Sequence, residues 1–447
     1  MDARLSISRL RLVGMALAAC GAQLLCFAQT VTPTLPPVPP AVPTPAQAPT
    51  TATDTPSPGA IYKDALRPLD VVRGSMENWS DAELGALAVG MHKAHDACAQ
   101  AKPEDYTGDD LYDLARLCSF GQDWNDANTA ASRYLDTRAD PHRAQAYALS
   151  MNALVHLNGV DLAVQTARAM LRGLPYDAEV AYAMRFIKDY LEQAGNPEAV
   201  SLAAAEHAAI VQALAQGAPL KAAHGDAVMS VGALYESAME LAFWQRYAGD
   251  DRAAASTVAD VEGALQSPTP APVEDRPRIA AVRLQYQLLG TRLPELKIVR
   301  SLQSAKAKAQ IDPEYGAATV LVLFPDWCTQ CRKMMPTLRN FAIVNSQTPI
   351  HAYGLMFAES AETPGQASHE DAAKDLQGTP TLEVAPELAR SLGAIDFPLA
   401  VAVDKAGMIR FIGPIPGDAF NGNGYMEKVI VRMAEPHGTP KVSAKEN

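Results

Sequence analysis

The sequence predicts a multidomain protein in which an all-α array of helices is followed by an α/β domain, and three observations carry that reading. The chain of 447 residues is too long for one ordinary domain and suggests two or three. From about Asp64 to Gln266 the pattern is helix after helix, with alanines returning at a fixed spacing. Near residue 320 the pattern changes. Val320-Leu321-Val322-Leu323-Phe324 is an apolar run of strand type, Pro325 and Asp326 break it, and Arg332-Lys333-Met334-Met335 beyond reads as helix. Apolar residues make up 48% of the chain, enough for packed cores, and abundant alanine with few aromatics leans it towards helix. The net charge of −12 argues against a nucleic-acid partner, because phosphate binding needs a basic face.

At the N-terminus, Arg4, Arg9 and Arg11 precede an apolar run from Leu12 to Ala28. A positive segment followed by a hydrophobic one is the pattern of a secretory signal peptide, expected over residues 1–28 with cleavage after Ala28. The run is short for a permanent span and contains Gln23. Leu17-Ala18-Ala19-Cys20 resembles a bacterial lipobox, so a lipoprotein anchored at Cys20 is the alternative, and an uncleaved anchor is a third. All three place the body of the chain outside the cytoplasm. Of the six cysteines, four lie beyond residue 28, an even number suited to an oxidising compartment: Cys98, Cys118, Cys328 and Cys331. Residues 29–60 are dense in Pro, Thr and Ala and are expected to form a disordered, extended linker.

The helical part is expected over residues 61–292. Ser80-Asp81-Ala82-Glu83 has the form of a capping box, and a second helix start falls near Asp109. Ala127, Ala163 and Ala199 are spaced by 36, as are Ala131, Ala167 and Ala203. Turn-like segments precede the first set at Gly121-Gln122-Asp123, Asn158-Gly159 and Gly195-Asn196-Pro197, and Pro141 and Pro175 follow the helices that carry the alanines. A period near 34, small residues where helices would pack closely and a proline after the second helix resemble tetratricopeptide-like repeats, without their full consensus. Such stacks imply a concave surface for a protein or peptide ligand; a role in spacing or dimerising the second domain is equally open. Residues 220–266 are expected to continue as helix. Gln266 to Pro277, with four prolines, is the clearest break, and a further helix, Ala280–Leu289, follows it. Trp79, Trp124 and Trp244 are expected to pack in the core.

The second domain is expected over residues 293–437, with a disordered tail at 438–447. Its predicted elements are an edge strand at Leu296–Arg300, a strand at Thr319–Phe324, a helix at Thr329–Val344 and a strand at Pro349–Met356. A polar surface insertion follows over 357–381, then a short helix, Glu387–Leu392. Leu399–Val403 and Met408–Ile412 form a hairpin across Asp404-Lys405-Ala406-Gly407, and Gly424–Met433 is the last helix.

The chemistry sits at the strand-to-helix turn. Cys328 and Cys331 are three apart, the arrangement of a dithiol redox site. Cys328 at a helix N-terminus would meet unpaired N–H groups and the positive end of the helix dipole, which favour the attacking thiolate. Cys331, one turn further in, could resolve a mixed disulfide. A zinc site would need two more ligands, and the sequence holds no second C-x-x-C. Here the chain resembles the thioredoxin superfamily, most closely its extracytoplasmic TlpA-like branch. Trp327 completes a W-C-x-x-C, Pro336 matches the proline that kinks the family's active-site helix, and Phe397-Pro398 before Leu399 looks like its cis-proline loop. The resemblance covers about a third of the chain. It implies a thioredoxin-like fold and a thiol–disulfide oxidoreductase with Cys328 and Cys331 as catalytic residues. Trp327, Phe397 and Pro398 would border the bound chain, and Pro336 would be structural. The implied substrates are extracytoplasmic cysteine-containing proteins, apocytochromes among them. A second redox protein would reduce or oxidise the dithiol, and no metal or organic cofactor is needed. One departure stands out. Thioredoxin has a buried aspartate six residues before the first cysteine, and this chain has Val322 there. The alternative function is a helical-repeat scaffold that carries a redox-inactive thioredoxin-like module.

Two further sets are open. Cys98 and Cys118 could form a disulfide between neighbouring helices or remain separate buried thiols; a hairpin turning near residue 105 would set Cys98 opposite residue 112. His92, His95 and Cys98 partly share a helix face, which could bind a metal or haem or simply face solvent. No phosphate loop, Ser-His-Asp set or H-E-x-x-H stands out.

Overall fold

The computed structural model describes residues 56–75, 81–137, 141–266, 271–302, 317–345, 350–358, 376, 378–415, 420, 427 and 430–431. The chain divides into two units, residues 1–55 and 56–447. The first lies outside the described residues, and with it the expected signal segment, Cys20 and most of the linker. Ser80, Trp79, the expected tail and nearly all of the expected last helix lie outside them as well.

The chain begins as helix earlier than expected. Helix α1 (Pro58–Ser75) starts inside the stretch read as linker: Ser57 Oγ accepts the N–H of Ala60, and Pro58 takes the first helical position, where no N–H partner is needed. Helix α2 (Asp81–Cys98) follows, and Glu83 pairs with Arg73 at 2.7 Å. Four helical hairpins come next: α3 (Asp109–Phe120) with α4 (Trp124–Asp136), α5 (Arg143–His156) with α6 (Val160–Gly173), α7 (Ala178–Gln193) with α8 (Glu198–Leu214), and α9 (Val231–Tyr247) with α10 (Asp251–Leu265).

All four hairpins close on the same turn. Gln122, Asn158, Gly195 and Gly249 are left-handed there, with φ of 63°, 59°, 63° and 81°. The N–H of the next residue reaches back five positions, Asp123 to Cys118, Gly159 to Leu154, Asn196 to Leu191 and Asp250 to Gln245, at 2.7–2.9 Å. This geometry satisfies carbonyls that a helix end would otherwise leave without partners. The spaced alanines Ala127, Ala131, Ala163, Ala167, Ala199 and Ala203 are all buried, which lets the helix backbones approach closely.

Residues 220–230 depart from the expected helix. Gly217 and Gly225 are left-handed and Pro219 lacks an N–H, so the chain forms a two-stranded antiparallel hairpin, β1 (Leu220–Lys221) with β2 (Val228–Met229). Ser230 then caps α9 by accepting the N–H of Ala233 at 3.2 Å. Helix α11 (Arg276–Leu288) starts four residues before the expected position, with Pro277 in its first turn.

The sheet has six strands in the order β3 (Ile298–Ser301), β6 (Thr381–Val384), β5 (Ile350–Phe357), β4 (Ala318–Pro325), β7 (Leu399–Val403), β8 (Ile409–Pro414). The β4–β5 and β5–β6 pairs are parallel, and the other three are antiparallel. Strand β6 is absent from the sequence reading. It is four residues long, and Glu383 in its middle pairs with Arg300 of the edge strand β3 at 2.6 Å. Every residue of β4 is buried, as a central strand covered on both faces requires. One face packs on helix α12 (Thr329–Val344). The other face contributes Leu321 and Leu323 to a core shared with Leu289, Tyr286 and Phe243 of the helical part, and with helix α13 (Glu387–Ser391). The segment between α11 and β3 pairs with β8: Gly290 N–H donates to Ile409 O at 2.8 Å, and Ile409 N–H to Thr291 O at 2.8 Å.

A polar ladder ties α7, α8 and α9 together. Lys188 is buried between Glu206 at 3.0 Å and Glu240 at 2.6 Å, and Tyr176 donates to Glu206 at 2.7 Å. Burial opposes the Lys188 charge, but the two carboxylates hold its pKa above the ordinary lysine value. Glu192 accepts from the Trp244 indole at 3.0 Å. Burial, the Glu240 and Asp189 charges and a hydrogen bond to Glu240 push its carboxyl well above the ordinary range. Glu192 is therefore protonated in the folded state where it would be ionised in the unfolded chain. The native state then holds the extra proton, so stability falls as pH rises above about 4.5. Gln at this position can keep both hydrogen bonds without the proton. Glu192→Gln is expected to leave the melting temperature unchanged at pH 4 and to raise it at pH 8. A melting curve equally shifted at both pH values would remove the assignment.

Candidate active site

The rigid central strand sets the site. Beyond Pro325 the chain turns through Asp326 and Trp327 into α12. Two backbone bonds pin the turn: Asp326 N–H to Phe357 O at 2.9 Å and Cys328 N–H to Pro325 O at 3.0 Å. Cys328 occupies the N-cap of α12, and its Sγ accepts the N–H of Cys331 at 3.2 Å. The two sulfurs are bonded, with Cα atoms 5.3 Å apart. Their exposure differs. Cys328 is half-buried at the surface of the core, whereas Cys331 is 1% exposed. Trp327 beside them is 55% exposed.

Arg332 shows something the sequence reading assigned only as charge. It is 4% exposed, and its guanidinium donates to the carbonyl of Asp326 and, at 3.1 Å, to Thr329 Oγ1. A cation thus sits under the turn that carries Cys328 and fastens the turn's backbone. Pro336 lies inside α12, and Met334, Met335 and Leu338 pack inward from the same helix.

The Phe397–Pro398 segment meets this turn at the same end of the sheet. In the β4–β7 pair, Leu323 faces Leu399, so Pro398 enters β7 where β4 runs out towards Cys328. The Phe397–Pro398 peptide is cis, and Pro398 O accepts from Ile415 N–H at 3.0 Å. Phe397 and Cys328 border the same apolar core. The Phe397 ring lies 5.4 Å from Phe357, whose carbonyl holds Asp326. Phe357 therefore joins the two loops, a role that its place at the end of a strand did not announce. Val322 is buried in β4, apolar where thioredoxin has its carboxylate.

Other residues singled out by the sequence lie elsewhere. Cys98 and Cys118 are bonded to each other and fully buried in the helical part, with Cα atoms 5.1 Å apart. A ten-residue connection replaces the tight hairpin, so the end of α2 meets the last turn of α3, not its start. His95 pairs with Asp123 at 2.8 Å and His92 lies 3.4 Å from Asp96, so the two histidines and Cys98 do not converge. Among the described residues no group of three or more side chains could hold a metal. Trp124 is half-buried, packs against the core of the first helices and stacks on His156 at 4.0 Å; Trp244 is half-buried as well.

No family model matches the chain, and no curated protein matches it. Among solved structures, about a third of the chain is similar to thiol-disulfide oxidoreductases and their thioredoxin domains. It is similar to the thioredoxin domain of a thiol-disulfide oxidoreductase from Bacteroides vulgatus, at 18% identity and a TM-score of 0.25, over 32% of this chain and 97% of that one. It is also similar to StoA from Bacillus subtilis, at 17% identity and a TM-score of 0.24, over 31% and 98%. A third is a secreted disulfide oxidoreductase of Mycobacterium tuberculosis, at 15% identity and a TM-score of 0.23, over 33% and 96%.

Reduction of this site should expose one reactive thiol. Cys328 has the helix N-terminus, the Cys331 N–H and access to solvent, whereas Cys331 has none of these. In the reduced protein at pH 7, iodoacetamide is expected to label Cys328 at least about tenfold faster than Cys331. Peptide mapping of the alkylated sulfur reads the outcome, and equal labelling would contradict the assigned asymmetry.

Proposed function

We propose that the chain is an extracytoplasmic thiol–disulfide oxidoreductase that acts on cysteine-containing proteins through Cys328 and Cys331. One observation carries the reading: the outer sulfur caps a helix and accepts an N–H, while the inner sulfur is shielded behind it. This asymmetry suits an attacking and a resolving thiol.

In the reducing direction the Cys328 thiolate attacks one sulfur of a substrate disulfide. The substrate S–S bond breaks, a mixed disulfide forms, and the other substrate sulfur leaves as a thiolate that takes a proton from solvent. Cys331 then loses its proton to solvent and attacks Cys328 Sγ. The second substrate sulfur leaves, and the Cys328–Cys331 bond stores the two electrons' worth of oxidation. A second redox protein must reduce that bond to restore the dithiol; the oxidising direction runs the same steps in reverse. Trp327, Phe397 and Pro398 form the border along which the substrate chain would lie. With Val322 in β4, no carboxylate stands at that position to take the Cys331 proton, which disfavours fast reductase turnover.

Two features support an extracytoplasmic location: the N-terminal segment, with its basic start and apolar run, and a buried Cys98–Cys118 disulfide, which an oxidising compartment favours. The helical part would be a tetratricopeptide-like array that offers a surface to a protein or peptide; the shared turn of its four hairpins supports this.

Cys331→Ser leaves the attacking thiol without its resolver. It is expected to accumulate mixed disulfides through Cys328 that dissolve in dithiothreitol, and Cys328→Ser is expected to form none. Wild type should reduce insulin disulfides, and Cys328→Ser should lose at least about a thousandfold of that rate. A folded protein that traps nothing and reduces nothing would leave the scaffold reading in its place.

A further inference from the structure

The segment that leads into Phe397–Pro398 is gripped by the helical part. Residues 393–396 run along α11, and three contacts fix them there. Gln285, which is buried, donates from Nε2 to Gly393 O at 2.7 Å. Gly393 is left-handed, with φ 63°, and a Cβ there would lie 2.8 Å from Ala281 O, so backbone meets backbone. Arg278 Nη2 lies 3.2 Å from Asp396 Oδ2, one residue before Phe397.

Arg278 is itself held from behind. Its Nη1 meets Glu236 of α9 at 2.6 Å, and Arg185 of α7 reaches the same carboxylate at 3.7 Å. Gly232 of α9 makes room for its stem, since a Cβ there would lie 3.3 Å from Arg278 Cβ. α7 and α9 therefore steady Arg278, and α11 holds the short stretch that leads into Phe397 and Pro398. The dithiol turn is fastened from within the sheet part, by Phe357 and Arg332.

We propose that Arg278 and Gln285 are positioning residues for the substrate loop: the helical part braces Phe397–Pro398 in the place where an incoming protein chain must lie. This rests on the oxidoreductase reading above. The two halves of the site then have separate supports. The dithiol would keep its chemistry without the brace, but a peptide would lose its ordered border. A loop displaced by an ångström weakens productive alignment far more than it weakens the sulfur's own reactivity.

The test compares Arg278→Ala, Gln285→Ala and Arg278→Lys with wild type in the full chain, using a cysteine-containing peptide disulfide and the small Ellman's reagent. Arg278→Ala and Gln285→Ala are expected to raise KM for the peptide about tenfold, while the Ellman's rate stays within about twofold. The midpoint potential of Cys328–Cys331 should not move, and Arg278→Lys should recover most of the peptide KM. Hydrogen exchange of the amides over 396–400 should quicken about tenfold in both alanine variants, a readout that needs no turnover. Unchanged peptide KM and unchanged exchange in folded variants would overturn the brace. So would an equal loss on both substrates with a falling melting temperature, which marks a structural role only. A wild type that reduces neither substrate sinks the oxidoreductase reading instead, and exchange alone then decides the brace.

Discussion

The structure depends on one strand that is buried along its whole length. β4 lies between β5 and β7, with apolar side chains on both faces, and it cannot shift register without exposing one face or burying a mismatch on the other. Its end is consequently a fixed point. Pro325 closes the strand, two backbone bonds turn the chain, and α12 starts with Cys328 as its cap. The Cys328 sulfur is held by the sheet and stands at the N-terminus of the helix. β7 begins opposite Leu323, so the same register that fixes Cys328 also brings Pro398 to that end of the sheet. A site assembled this way needs few polar contacts of its own.

The helical part answers to a different constraint. Its hairpins bury small residues at their crossings, close on left-handed turns and pack around cores of Leu, Met and Ile. Part of the cohesion comes from the Lys188, Glu206 and Glu240 cluster. A buried ion group of this kind adds little net stability over apolar packing, but breaking it leaves a charge without a partner. It therefore selects one arrangement of α7, α8 and α9 over its neighbours. Arg185 and Glu236 on two of those helices carry that fixed arrangement outward to Arg278.

Much of the site was legible because it is local. The C-x-x-C turn and the Asp404–Gly407 turn are set by a few adjacent residues, and Trp327, Pro336 and Phe397-Pro398 were placed by the resemblance to a known pattern. The alanines were legible too, since their spacing reports which positions face a neighbouring helix. What stayed hidden was set by distant partners. β6 is four residues with a charge in the middle, and only pairing on both sides makes it a strand. Arg332 reads as a surface charge until its burial under the turn is known. Residues 220–230 read as helix because their neighbours do, although two glycines and a proline were there to say otherwise.

The most consequential hidden feature is that the boundary near residue 292 separates patterns without separating cores. Leu289, Tyr286 and Phe243 of the helical part share one apolar cluster with Leu323, Leu392 and Leu399 of the sheet part, and the connecting segment hydrogen-bonds to β8. Two domains joined by a loose linker would leave the Phe397–Pro398 segment to the sheet part alone. Here the linker is part of the sheet's edge, and α11 lies against the stretch before Phe397. Any force that a partner applied to the helices would therefore act on the border of the dithiol through packed side chains and not through a tether. The helical stack is thereby a wall of the candidate site as well as its neighbour, which is a reason for one chain to carry both.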